Sequence, residues 1–175
     1  MEVEDVHAAA EWACQQPGIS NVNNFIFGGS HGGFIAAHLI ARYPDFYRGA
    51  ALRNPVTDIG AMISDTDIPD WCYAEAGIDF NPSKPNFQVE NYSKLYGMSP
   101  ISRIKERVSP ALLMLGEDDR RVPPSQGKRW AEKLIGNGHS VTTLMFPDTG
   151  HALDSVDAER YGFEACSAFF IFNLR

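Results

Sequence analysis

Phe25-Ile26-Phe27-Gly28-Gly29-Ser30-His31-Gly32-Gly33-Phe34-Ile35-Ala36-Ala37-His38-Leu39 is the stretch whose reading decides the fold. Phe25 to Phe27 is a short apolar run that reads as a buried strand. From Phe34 apolar residues return at helical spacing and continue to Pro44. Between the two lies Gly28-Gly29-Ser30-His31-Gly32, a G-x-S-x-G pattern. A serine between a strand and a helix sits on a turn too sharp for ordinary neighbours. Residues without a Cβ let the chain bend there and let helix pack on strand. The helix N-terminus adds positive partial charge beside the hydroxyl. A glycine-rich phosphate turn is the competing reading, but neither G-x-G-x-x-G nor a P-loop lysine is present.

Outward from this turn, apolar and helical patterns alternate. Val3, Val6, Ala10 and Ala13 predict a helix over about 3–16, stopped by Pro17-Gly18. Residues 49–54 read as a second strand, weakly. Ala111-Leu112-Leu113-Met114-Leu115 is the clearest strand. A helix over about 123–136 follows, with prolines in its first turn and glycines at its close. Val141 to Phe146 reads as the last strand, and 156–173 as an amphipathic helix. Residues 56–98 are irregular, with Pro69, Pro82, Pro85 and the aromatics Trp71, Tyr73, Phe80, Phe87, Tyr92 and Tyr96. Short helices and loops are expected there, and so long a connection is usually functional. Such alternation gives an α/β fold: a mostly parallel sheet with helices on both faces.

A serine hydroxyl needs a base, and the base needs an acid to orient it. In the α/β-hydrolase arrangement the chain order is Ser, then Asp or Glu, then His. Strand 111–115 runs into Glu117-Asp118-Asp119, and strand 141–146 runs into Pro147-Asp148-Thr149-Gly150-His151. Each loop supplies the required residue type in the required order. His151 is therefore the expected base, and one member of 117–119 the acid. His7 precedes the serine, His31 adjoins it, His38 lies within a helix and His139 precedes a strand, so all fit less well. The backbone N–H of His31 is the expected oxyanion donor. No metal or organic cofactor is expected.

The composition excludes several classes. The chain has 175 residues and a net charge of −7, which disfavours nucleic acid and anionic membranes as partners. No apolar run approaches the ~18 residues of a membrane span. The N-terminus carries acids where a signal peptide has bases. Cys14, Cys72 and Cys166 form neither a C-x-x-C pair nor an even set. A cytoplasmic, reducing location is expected.

Further segments carry a resemblance. Gly28-Gly29-Ser30-His31-Gly32-Gly33-Phe34, residues 64–72 (SDTDIPDWC), Ser99-Pro100 with Arg103-Ile104, residues 112–123 (LLMLGEDDRRVP) and Gly150-His151-Ala152-Leu153 together resemble the acylaminoacyl-peptidases. These belong to the prolyl oligopeptidase group of serine peptidases. The resemblance covers nearly the whole chain. It implies release of N-acylated residues from short peptide substrates, with a homo-oligomer in the full-length form. Its D-x-R-V pattern selects Asp119 as the acid. It places Arg121 where a substrate carbonyl is held and Trp71 near a specificity pocket. It also implies that residues 1–175 are one hydrolase domain truncated on its N-terminal side, equivalent to strands 5-6-7-8, without the family's β-propeller. The HGG-type loop that supplies a second oxyanion donor has no match here, so impaired activity of the isolated chain is expected. A carboxylesterase of the same fold and a non-catalytic interaction module are the alternative readings.

Overall fold

A computed structural model describes residues 2–83 and 89–174. Pro85 and Phe87 of the irregular segment lie outside the described residues. The elements run α1 (Glu2–Cys14), β1 (Asn24–Gly29), α2 (His31–Arg42), β2 (Tyr47–Arg53), α3 (Ile59–Met62), α4 (Pro69–Glu75) and α5 (Val89–Met98). A 3-10 turn follows at Pro100–Arg103, then β3 (Ala111–Gly116), α6 (Ser125–Gly136), β4 (Val141–Phe146) and α7 (Val156–Phe172). The sheet order is β1-β2-β3-β4 and each neighbouring pair is parallel.

The period of two along the strands sorts their side chains onto two faces. Ala50, Leu52, Ala111, Leu113 and Leu115 pack with Leu39 and Ile40 of α2 and with Trp130 and Leu134 of α6. Ala51, Leu112 and Met114 turn the other way, onto Ala158 and Cys166 of α7. Both faces of β3 are covered, and all six of its residues are buried. This double burial is why its sequence is uniformly apolar rather than alternating. A third cluster joins Phe34 and Val122 to Val56, Ile59, Met62, Cys72 and Leu95, within the segment read as irregular.

Some boundaries differ from the sequence reading. β1 extends through Gly28-Gly29 because both pair with β2, opposite Leu52 and Arg53. β2 starts at Tyr47, two residues before the expected strand. α6 begins at Ser125, with Pro124 at the cap position rather than inside the first turn. Among the described residues no helix is long and apolar enough to cross a membrane. The three cysteines are free.

His38 is the buried polar group of α2, 1% exposed. Its Nε2 lies 2.9 Å from the Met98 carbonyl oxygen, which can only accept, so the ring nitrogen donates. Burial, and then the Arg42 guanidinium, push its pKa down from 6.5 to about 4. The unfolded chain therefore takes up this proton at a higher pH than the folded chain. The stabilising contribution is complete above about pH 6.5 and drains as pH falls toward about 4, by up to ~3 kcal/mol. Urea unfolding at pH 7 and pH 4.5 should show the stability gap between wild type and His38→Gln narrowing by a large part of that amount. A gap independent of pH would contradict it.

Candidate active site

Ser30 sits between the last residue of β1 and the first of α2 with φ 54° and ψ −118°. A non-glycine residue in such a conformation costs on the order of 1–3 kcal/mol and persists only where its surroundings impose it. Here the Ser30 N–H donates to the Arg53 carbonyl at 2.9 Å, and the Phe34 N–H donates to the Ser30 carbonyl at 3.1 Å. The glycines have distinct tasks. A Cβ on Gly28 would lie 2.4 Å from the Gly32 carbonyl oxygen, and one on Gly33 would lie 2.7 Å from Pro55 Cβ. The space around Gly32 itself is open. The tight approach is thus made at Gly28 and Gly33.

Asp119 follows β3 and its side chain is 0% exposed. Its Oδ2 lies 2.7 Å from His151 Nδ1. Its Oδ1 accepts the N–H groups of Arg121 and Val122, both at 2.9 Å. The two backbone bonds fix the carboxylate plane and aim the free oxygen at the imidazole. A proton on Nδ1 donates to this carboxylate and leaves the Nε2 lone pair as the basic position. The His151 side chain keeps 27% of its surface, so the ring is not sealed in the core. Glu117 and Asp118 are exposed, so burial separates Asp119 from its acidic neighbours.

One residue here has no counterpart in the sequence reading. Asn54, 1% exposed, directly follows β2 with φ 41°. Its Nδ2 donates to the His151 carbonyl at 2.9 Å, and its Oδ1 accepts the Gly116 N–H at 2.9 Å. Arg53 adds bonds from its guanidinium to the carbonyls of Ala152 and Leu153, at 3.0 and 2.7 Å. The signal in the sequence is an asparagine, which tolerates positive φ, before a proline at a strand end.

The remaining expected residues spread around this centre. His31 opens α2, where first-turn N–H groups have no partner within the helix. Its ring stacks on Phe34 at 5.6 Å and meets Trp71 edge-on at 5.7 Å. Trp71 thus stands beside the residue that follows Ser30. The Arg121 side chain is half exposed and pairs with Asp67, Nε to Oδ1 at 3.3 Å. The structure joins Asp119 to His151 and ties Ser30 to the neighbouring end of β2. Among the described residues the His151 ring is hydrogen-bonded to Asp119, and no hydrogen bond joins it to the Ser30 hydroxyl. Glu2, His31 and Glu75 bring three potential metal-ligand atoms within 4.8 Å of one another.

Similarity to known proteins extends over most of the chain. The acylamino-acid-releasing enzyme of Homo sapiens is 41% identical over 163 residues, 93% of this chain and 22% of the human protein. A puromycin-hydrolyzing peptidase of Mycobacterium tuberculosis superposes with TM-score 0.81 at 27% identity, covering 98% of this chain and 25% of that one. The acylaminoacyl peptidase of Pyrococcus horikoshii shares the fold with TM-score 0.83 at 22% identity, covering 98% and 27%. The chain spans about a fifth of the length of the curated relatives it matches. The fold is that of the α/β-hydrolases. The sequence model of the prolyl oligopeptidase family matches residues 1–175, and the chain belongs to that family.

Proposed function

We propose that this chain carries the reacting groups of a serine peptidase that releases N-acylated amino acids from peptide N-termini. The observation that carries the reading is the 2.7 Å contact between buried Asp119 and His151, in loops anchored to the β2 end that also holds the strained Ser30 turn. The printed names of the human and archaeal relatives support the substrate class.

Ser30 Oγ attacks the carbonyl of the acylated first residue while His151 Nε2 takes its proton. Negative charge develops on the carbonyl oxygen and is met by the His31 N–H and the α2 dipole. His151 then protonates the leaving amine, and the C–N bond breaks. Water attacks the resulting ester, giving its proton to His151, and the acyl amino acid leaves as Ser30 regains its own. Asp119 holds the imidazole in the productive tautomer and offsets its charge. Arg121, exchanging Asp67 for substrate, holds a peptide carbonyl. Its exposed ion pair is worth only ~0–1 kcal/mol, so the exchange is easy. Trp71 forms one wall of the pocket for the first side chain.

A fluorophosphonate probe should label the chain once, and Ser30→Ala should abolish labelling while the circular dichroism spectrum stays unchanged. Cleavage of an acetyl-alanyl anilide in preference to a short-chain ester supports the peptidase; ester cleavage alone would favour a carboxylesterase. Asp119→Asn should slow acylation by up to ~10⁴-fold, the loss seen when a triad acid no longer sets the tautomer. Asn54→Ala should slow labelling by roughly 10²-fold through a misplaced His151 loop, with a smaller effect on reversible inhibitor binding. Equal rates in Asn54→Ala and wild type would remove the positioning role.

A further inference from the structure

The side chain of His31 faces an arrangement that the hydrolytic reading does not use. Its Nε2 lies 3.2 Å from Glu2 Oε2, at the start of α1, and 3.4 Å from Glu75 Oε1, at the end of α4. The three residues come from three separate elements, and all three ligand atoms fall within 4.8 Å of one another. Nε2 is without accessible surface and without a hydrogen bond. Both carboxylate oxygens are close to this nitrogen, yet neither is hydrogen-bonded to it. Two carboxylates turned toward one another repel unless a positive charge sits between them.

The two nitrogen-to-oxygen spacings are compatible with a coordination sphere. Zn²⁺ bonds of about 2.0–2.1 Å to nitrogen and oxygen set tetrahedral ligands ~3.3–3.4 Å apart. The two separations, 3.2 and 3.4 Å, match such tetrahedral edges. One imidazole with two carboxylates is a donor set that borderline first-row cations accept. The Glu2 side chain is 64% exposed, which leaves an entry path and a fourth position for water.

We infer that Glu2, His31 and Glu75 form a binding site for one divalent cation of the Zn²⁺ type. The occupied site clasps the first turn of α1 and the last of α4 to the residue that follows Ser30. It stands on this geometry alone and does not depend on the proposed hydrolysis.

The test uses the metal-stripped 175-residue chain, titrated with Zn²⁺ by calorimetry and melted with and without the metal. One Zn²⁺ per chain should bind and raise the Tm. Glu2→Gln, on an exposed first turn, and Glu75→Gln should each weaken binding by more than ~10-fold, the loss that even outer-shell changes cause. Glu132→Gln, exposed on α6, should bind as wild type. Co²⁺ in the same site should show tetrahedral bands without a thiolate charge-transfer band, which separates it from Cys14, Cys72 and Cys166. Absence of Zn²⁺ binding, binding undiminished in both ligand variants, or a thiolate band would overturn the inference.

Discussion

Strands in a sheet lie ~4.8 Å apart, so the loops leaving β1 and β4, three positions apart, start ~14 Å from each other. An imidazole cannot span that gap. The loop after β4 must fold back across the end of β3 toward β2, and the hydrogen bonds of the β2 terminus hold it there. Asn54 binds the His151 carbonyl, and Arg53 binds those of Ala152 and Leu153. The Asp118 N–H donates to the Thr149 carbonyl at 3.1 Å along the way. The contact between His151 and Asp119 presupposes this fold-back.

The same short segment governs the nucleophile turn. The Arg53 carbonyl receives the Ser30 N–H, and Pro55 occupies the space that a side chain on Gly33 would need. Residues 53–55 therefore set the Ser30 turn on one side and the His151 loop on the other. Positive φ at Asn54 turns the chain sharply at the sheet edge, so that consecutive residues serve two loops. Ser30 leans on the Arg53 carbonyl, whereas Asn54 leans on β3, its N–H donating to the Met114 carbonyl at 2.9 Å.

Much of this was legible in the sequence because it depends on local pattern. The uniformly apolar run 111–115 requires burial on both faces, and the strand-glycine-serine-glycine-helix order admits few backbones. The chain order of Ser30, Asp119 and His151 follows from which strand precedes each loop. Asn54, His38 and the trio of Glu2, His31 and Glu75 were not legible, because their roles arise between elements distant in the chain. β2 starts earlier than its apolar run because Tyr47 pairs with Asn24 across a register irregularity, a cross-strand feature with no local signature.

The segment between β2 and β3 is easily mistaken for a loose lid, and its packing argues otherwise. Met62, Cys72 and Leu95 bury themselves with Phe34 of α2, so this segment has a core of its own. Gln126 of α6 accepts the N–H groups of Thr57 and Asp58, at 3.1 and 2.8 Å, and the Ser99 hydroxyl accepts that of Ile59 at 2.8 Å. Each of these groups is buried, so breaking one strands an unpaired donor at a cost of about 1–3 kcal/mol. Opening the segment as a unit would forfeit several such bonds and the apolar cluster together. Trp71 and Glu75 are consequently held in fixed relation to His31, the residue that follows Ser30.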